Sequence, residues 1–465
     1  MTCVGIFTFA SNRSYSIAQE PHSNAISDSP SKSIQGKNPY QVSFADFEWQ
    51  LRDSAPLFDG RGGIGEKVPT EKAIDLFVKR VKQDSQDYAS RTILGELYLR
   101  QATEDDNLAS YGLAMDALRD ALKINANHKP AKIGMAKVLI AQHQFADAIS
   151  LLLKSIPDES QSPADLALIA DCHLDMGDLA KAKVALNRLA TLEDSPPIVA
   201  RQARLAELTG HQDEAVELME SALRDVRLGS ADPTEWHWYQ WRLAGLSFDM
   251  GDLPKAHSYV QEILKVDPSD ERSTILLAKI QFAKGNPKET LDLLTDLVTS
   301  HPSPPTLSML GDLHETLGDS KNAAKYLDQA EEVVREEALI AKAAHAREAA
   351  VFFADHDRHL NEALELIQID CKQRQDLYTR DAYAWILFKN NRLQEAKAKC
   401  VSLTELGAKD LSCLYHATKI HQALGEDAIA KTYLQKIINV NPAFSIRYSP
   451  DVARLQATWE MQPER

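Results

Sequence analysis

Two clusters in this 465-residue chain have side chains suited to chemistry. Asp355-His356-Asp357-Arg358-His359 sets two histidines three residues apart beside two aspartates, donors that a divalent transition metal accepts. Gly60-Arg61-Gly62-Gly63-Ile64-Gly65 has the G-x-G-x-x-G spacing of a dinucleotide loop. Neither has the frame its chemistry requires. A dinucleotide loop follows a strand and opens directly into a helix. Leu51 to Asp59 is no strand, and the next helix waits until after Pro69. The Asp355–His359 stretch falls where a loop between two helices is expected, so metal ligands there would be exposed and unsupported. Helix capping and loop solvation account for it better. His314-Glu315 lacks the second histidine of a zinc-protease helix. The five cysteines (Cys3, Cys172, Cys371, Cys400 and Cys413) are odd in number and form no C-x-x-C, so they read as small buried hydrophobes. We therefore expect no catalytic residues, no metal and no cofactor. A metal-dependent enzyme built on the Asp355–His359 loop is the third-ranked reading.

The elements that position these residues follow from one period. Small residues recur at Ala114, Ala148, Ala182, Ala215, Ala256, Thr290, Ala323, Ala363, Ala396 and Ala430. The steps between them are 34, 34, 33, 41, 34, 33, 40, 33 and 34 residues. The two long steps are one unit plus about two helical turns. Twelve residues before most anchors stands a second small residue (Ala136, Ala170, Ala203, Ala244, Ala278, Gly311, Ala384). Between the two lies a turn such as Met176-Gly177-Asp178, Met250-Gly251-Asp252 or Leu317-Gly318-Asp319. Glycine there ends one helix and Asp or Asn can start the next. Apolar residues four and seven past the anchor form one stripe of an amphipathic helix. Pro268, Pro302 and Pro442 close units. Such a period marks a helical-repeat array in which no unit buries its apolar face alone.

Small-x-x-Tyr/Phe, an alanine further on, an apolar residue and a closing proline together resemble the tetratricopeptide repeat. Leu94-Gly95-Glu96-Leu97-Tyr98 shows it in the first unit, and Leu243-Ala244 through Gly251-Asp252, Ala256 and Asp267-Pro268 in the fifth. The resemblance covers about ten units. It implies an all-α, right-handed α-solenoid over residues 71–444, with a capping helix and tail over 445–465. Phe352 to Asp357, Arg374 to Thr379, Asp381 to Trp385, Leu414 to Ala417 and Asn441 to Ser445 look like one bacterial group of such proteins. That likeness implies the fold and a bacterial origin rather than an activity.

The resemblance also implies where a partner would bind. In such arrays the first helix of each unit lines an inner groove. Carried onto this chain, the groove positions are Trp241, Gly245 and Phe248 in the fifth unit, with Trp238 one turn earlier. They are Ile275, Lys279 and Phe282 in the sixth, Asp381, Trp385 and Phe388 in the ninth, and Tyr415, Lys419 and Gln422 in the tenth. Aromatic rings gathered on one surface suit an extended apolar or amphipathic ligand. Alternatively, some rings fill the space left by the insertion before Trp236-His237-Trp238. No unit carries the Lys/Asn pair with which some relatives clamp a chaperone's terminal carboxylate. The expected function is a non-enzymatic scaffold for an unidentified protein or peptide. The alternative is a sensor or carrier for a non-peptide ligand such as a glycan, with Trp238 and Trp241 as its platform.

Composition bounds the rest. The net charge is −15, without the basic footprint of a nucleic-acid binder. No apolar run reaches the length of a membrane span. Residues 1–38 read as a disordered segment, with 1–18 a candidate signal peptide: a short apolar core, small residues at Ser16-Ile17-Ala18, but no preceding Lys or Arg. The chain is exported if that segment acts as a signal and cytoplasmic otherwise. Residues 39–70, with Tyr40, Phe44, Phe47, Trp49, Leu57 and Phe58, read as an aromatic, glycine-rich cap over the first repeat. Ser449-Pro450-Asp451 signals a helix start, with Ser449 as cap, and the final helix is expected to run to Met461.

Overall fold

Each small-residue anchor falls on the second helix of a helix–turn–helix pair. The computed structural model describes residues 69–463 apart from 105–107, 156–160, 231–232, 341–345 and 406–408. The expected signal peptide, linker, aromatic cap and Gly60–Gly65 loop lie outside the described residues. A lone helix α1 (Thr70–Gln83) comes first. Ten pairs follow: α2 (Tyr88–Glu104) with α3 (Leu108–Ile124), α4 (Lys129–Ala141) with α5 (Phe145–Ser155), α6 (Pro163–Asp175) with α7 (Leu179–Leu192), α8 (Pro196–Leu208) with α9 (Gln212–Gly229), and α10 (His237–Asp249) with α11 (Leu253–Val266). Then come α12 (Glu271–Ala283) with α13 (Pro287–Ser300), α14 (Pro304–Thr316) with α15 (Ser320–Ile340), α16 (Ala346–Asp355) with α17 (Leu360–Asp370), α18 (Leu377–Lys389) with α19 (Leu393–Glu405), and α20 (Leu411–Ala423) with α21 (Asp427–Val440). A last helix, α22 (Ser449–Thr458), closes the array. Among the described residues there is no strand, and no helix is long and apolar enough to cross a membrane.

The period works through close helix approach. Nine of the ten anchors are completely buried, and the tenth, Ala323, is 5 % exposed. The small residue on the first helix serves the same end. A Cβ added at Gly311 would sit 2.8 Å from the Leu327 side chain, four residues past its anchor. The turns use the left-handed backbone expected of them: Gly177, Gly251, Gly285 and Gly318 lie at φ between 74° and 80°. Asp178 and Asp252 then cap α7 and α11 by accepting from Lys181 N and Lys255 N. The two long steps lengthen second helices: α9 has 18 residues and α15 has 21. At the C-terminus, Ser449 is not the cap. It lies inside α22, with Tyr448 as the capping residue, and its hydroxyl accepts from Ser445 N at 3.1 Å. The helix stops at Thr458, short of Met461.

The array does not run straight. Its later units lie against its earlier ones, and two seams join residues almost 200 positions apart. Gln375 N donates to the Met176 carbonyl at 3.1 Å, and the Arg204 guanidinium lies 5.6 Å from the Tyr378 ring centre. At the second seam Asn441 Nδ2 donates to the Phe248 carbonyl at 3.1 Å, with the Val440 carbonyl pressed against Gly251. Further on, Arg447 donates to Asp312 at 2.7 Å.

Candidate functional site

The coil encloses a cleft of about 620 Å³ between α14, α18, α20 and the segment that enters α22. Its apolar side is aromatic. The Trp385 ring stacks on Phe388 and on His416, at 5.0 and 4.2 Å. Tyr415 stacks on Tyr448 at 4.5 Å. Two of these rings are fixed by one acid at the end of α16: Asp355 Oδ1 accepts from Trp385 Nε1 at 2.8 Å and from the Tyr448 hydroxyl at 2.6 Å. Burial, reinforced by the neighbouring Asp451, pushes the Tyr415 phenol well up, so it stays protonated and donates a hydrogen bond to Asp451 at 3.1 Å.

The polar side is a set of ion pairs. Lys419 meets Asp451 at 2.9 Å, Arg454 binds the same carboxylate, and Arg447 binds Asp312. Burial works to raise the Asp451 carboxyl, but hydrogen bonds from Lys419 and Arg454 outweigh it and hold the group below the usual carboxylate range. Lys389 lies 5.4 Å from the Trp385 ring centre and 2.5 Å from Asp357. The cleft thus offers aromatic edges beside ion-paired side chains. That surface can hold an amphipathic segment.

The Asp355–His359 stretch forms the turn between α16 and α17, as expected, with Asp357 and His359 exposed and Asp355 buried. Asp355 anchors the cleft rings. His356 Nε2 lies 3.2 Å from Asp312 while its Nδ1 faces the Phe352 carbonyl at 2.8 Å. Asp357 pairs with Lys389, Arg358 with Asp328 and Glu331, and His359 with Glu331 at 2.7 Å. Each member also ties its unit to a neighbour, a set of contacts that the sequence pattern does not contain. Among the described residues, no group of three or more His, Cys, Asp or Glu is placed to hold a metal.

Models of the tetratricopeptide repeat match residues 110–172, from α3 to α6, and residues 304–333, the pair α14 and α15. The chain carries tetratricopeptide repeats. One relative of the tetratricopeptide chain is the cellulose synthase operon protein C of Xanthomonas axonopodis pv. citri (strain 306). It is 26 % identical over 167 residues, 34 % of this chain and only 11 % of that protein. Among solved structures, yeast Tom70 is 12 % identical over 89 % of this chain and 96 % of its own, with a TM-score of 0.35. Pseudomonas aeruginosa pilF is 17 % identical over 50 % and 94 %, with a TM-score of 0.34.

The groove positions of this tetratricopeptide array divide into three groups. Trp385, Phe388, Tyr415 and Lys419 come together in the cleft. Trp385 and Tyr415 are nearly buried, 4 % and 5 % exposed, so they offer little more than edges. A second patch lies at Trp241, while Lys279 Nζ sits over Phe248, 5.3 Å from its ring centre. Trp241 is half-buried, with the guanidinium groups of Arg242 and Arg272 at 6.0 and 5.6 Å from its ring centre. In front of Gly245, one turn on, is open space. Phe282 is half-buried against the core shared by α12, α13 and α14. The remaining two leave the groove. Phe248 is 1 % exposed in the core between α10, α11 and α12, because its position points at the next unit rather than inward. Trp238 packs with Trp236 on the core of the fourth unit, against Tyr239 and beside the lengthened α9, so these rings fill the insertion's space. Asp355 and Asp451 line the cleft although the sequence suggests other roles for them, and Arg447 and Tyr448 carry no sequence signal for it. Arg447 and Tyr448 lie beyond the last repeat, where no periodicity marks an inward side.

Proposed function

We propose that this tetratricopeptide array is a non-enzymatic scaffold that binds a protein or peptide on its inner surface, with the cleft as its principal contact. The observation that carries this reading is the aromatic and ion-paired lining of that cleft. Its side chains are already held by one another, so binding sacrifices little further side-chain entropy. The ligand that suits it is an extended amphipathic segment. Its apolar side chains would lie on Phe388 and the edges of Trp385 and Tyr415. Its polar groups would meet Lys389, Lys419 and Arg447. The acidic net charge agrees with a protein rather than a nucleic-acid partner.

The test is a steric plug. Thr316 lines the cleft and is exposed. Thr316→Trp should fill it without touching a core. We expect the wild-type chain to capture a specific protein from its host and Thr316→Trp to lose it with helicity unchanged. A partner retained by Thr316→Trp, and also by Gly245→Trp at the second patch, would remove the groove from the account.

A second reading rests on Trp241, whose half-exposed ring between two guanidinium groups suits a sugar face. The cellulose-synthesis wording in the relative's name agrees with it. Quenching of tryptophan fluorescence by β-linked oligosaccharides, abolished in Trp241→Ala, would favour that reading.

A further inference from the structure

The second seam is made by a short stretch of chain rather than by a helix face. Past α21, where the next repeat's first helix would begin, residues 441–448 instead run as turns. On one side this stretch belongs to the last units, with Phe444 and Tyr448 packed in their core. On the other side it reaches back across the coil. Asn441 holds the Phe248 carbonyl, and Ile446 is buried with Ala278, Leu294 and Leu310 of the sixth and seventh units. Arg447 binds Asp312 of α14.

The two kinds of contact differ in nature. Across the seam there is one aliphatic side chain and a few hydrogen bonds and ion pairs. Along the array, adjacent units share apolar cores, such as that of Phe248, Val260 and Ile280 between the fifth and sixth. A solenoid stands on those neighbour contacts. Parting the seam leaves them intact, and proteins open sub-globally where apolar contacts are fewest. The same stretch supplies Arg447 and Tyr448 to the cleft, so parting the seam also dismantles the cleft.

We propose that residues 440–448 are a releasable clasp that, beside the first seam, holds the coil closed and completes the cleft. Closure and cleft formation are then one equilibrium. A ligand touching both cleft walls binds only the closed form and shifts the chain toward it. The inference stands apart from the scaffold reading, because its test needs no partner.

The experiment compares the full wild-type chain with Ile446→Asp by small-angle scattering and amide hydrogen exchange. The variant should have a larger radius of gyration and unchanged helicity. Exchange should quicken about tenfold at residues 248–251 and along α14, with α3 to α5 unaffected. A second variant locks the seam. Met250 and Val440 are exposed residues flanking it, and a Met250→Cys/Val440→Cys disulfide in the Ile446→Asp background should restore the compact form. Unchanged scattering and exchange in Ile446→Asp would overturn the proposal. So would a locked variant that stays expanded. If Ile446→Asp fails to fold, the milder Asn441→Ala decides: local exchange at 248–251 supports the clasp, and loss of helix in step with the seam overturns it.

Discussion

Asp355 shows how one residue's role depends on its surroundings. In the sequence it heads a cluster that resembles a metal site. In the fold its carboxylate accepts from an indole and a phenol and so holds two walls of the cleft. Both donors are buried, so the acid's value lies in what it leaves satisfied. Asp175 is the converse case. It sits at the end of α6 beside the first seam, and burial pushes its carboxyl up to about 7. Asp171 and Asp376 add to the rise, while Arg204 and Arg374 oppose it. A folded-state pKa above the unfolded one means that the neutral acid is favoured in the fold. The contribution to stability is complete at pH below about 4 and lost as pH rises toward 7. Asp175→Asn should therefore raise the unfolding midpoint at pH 8 by the equivalent of about 1 kcal/mol or more, and change it little at pH 4. Equal effects at both pH values would show that the acid does not titrate as described.

At the scale of elements, the alanine period fixed nearly everything. It located ten helix pairs, their turns and the buried side of each second helix, because a small residue is the only way two helices approach so closely. The glycine turns were equally legible, since only their backbone conformation was in question. Their surroundings were not. Gly251 and Gly285 have nearly the same φ, 80° and 78°, yet a Cβ at Gly251 would strike the Val440 backbone, while at Gly285 it would meet nothing. Alanine at Gly285 should cost about 1–2 kcal/mol for the left-handed backbone alone. Alanine at Gly251 should cost clearly more, because the seam must also move. Chemical denaturation of the two variants makes the comparison. Equal losses would mean that the seam contributes nothing to stability. Ser449 departs from the expected cap for a related reason: its hydroxyl accepts from Ser445 N, a turn contact that no helix-start pattern contains.

At the scale of the molecule, sequence periodicity describes neighbours only. It could place Trp385, Phe388, Tyr415 and Lys419 on first helices, and these do share the cleft. It could not show that the chain returns upon itself and brings Arg447, Tyr448 and Asp451 from beyond the array to meet them. Nor could it separate an inward position from one facing the next unit, which is why Phe248 ended in a core. The cleft belongs to the closed coil rather than to any one repeat, and the scaffold reading depends on it. Cross-linking of the chain to a captured partner, read by mass spectrometry, tests that reading most directly. The account predicts cross-links at Lys389 and Lys419 in the cleft. Links confined to exposed lysines of second helices, such as Lys183 and Lys321, would contradict it and move the binding surface to the outside of the coil.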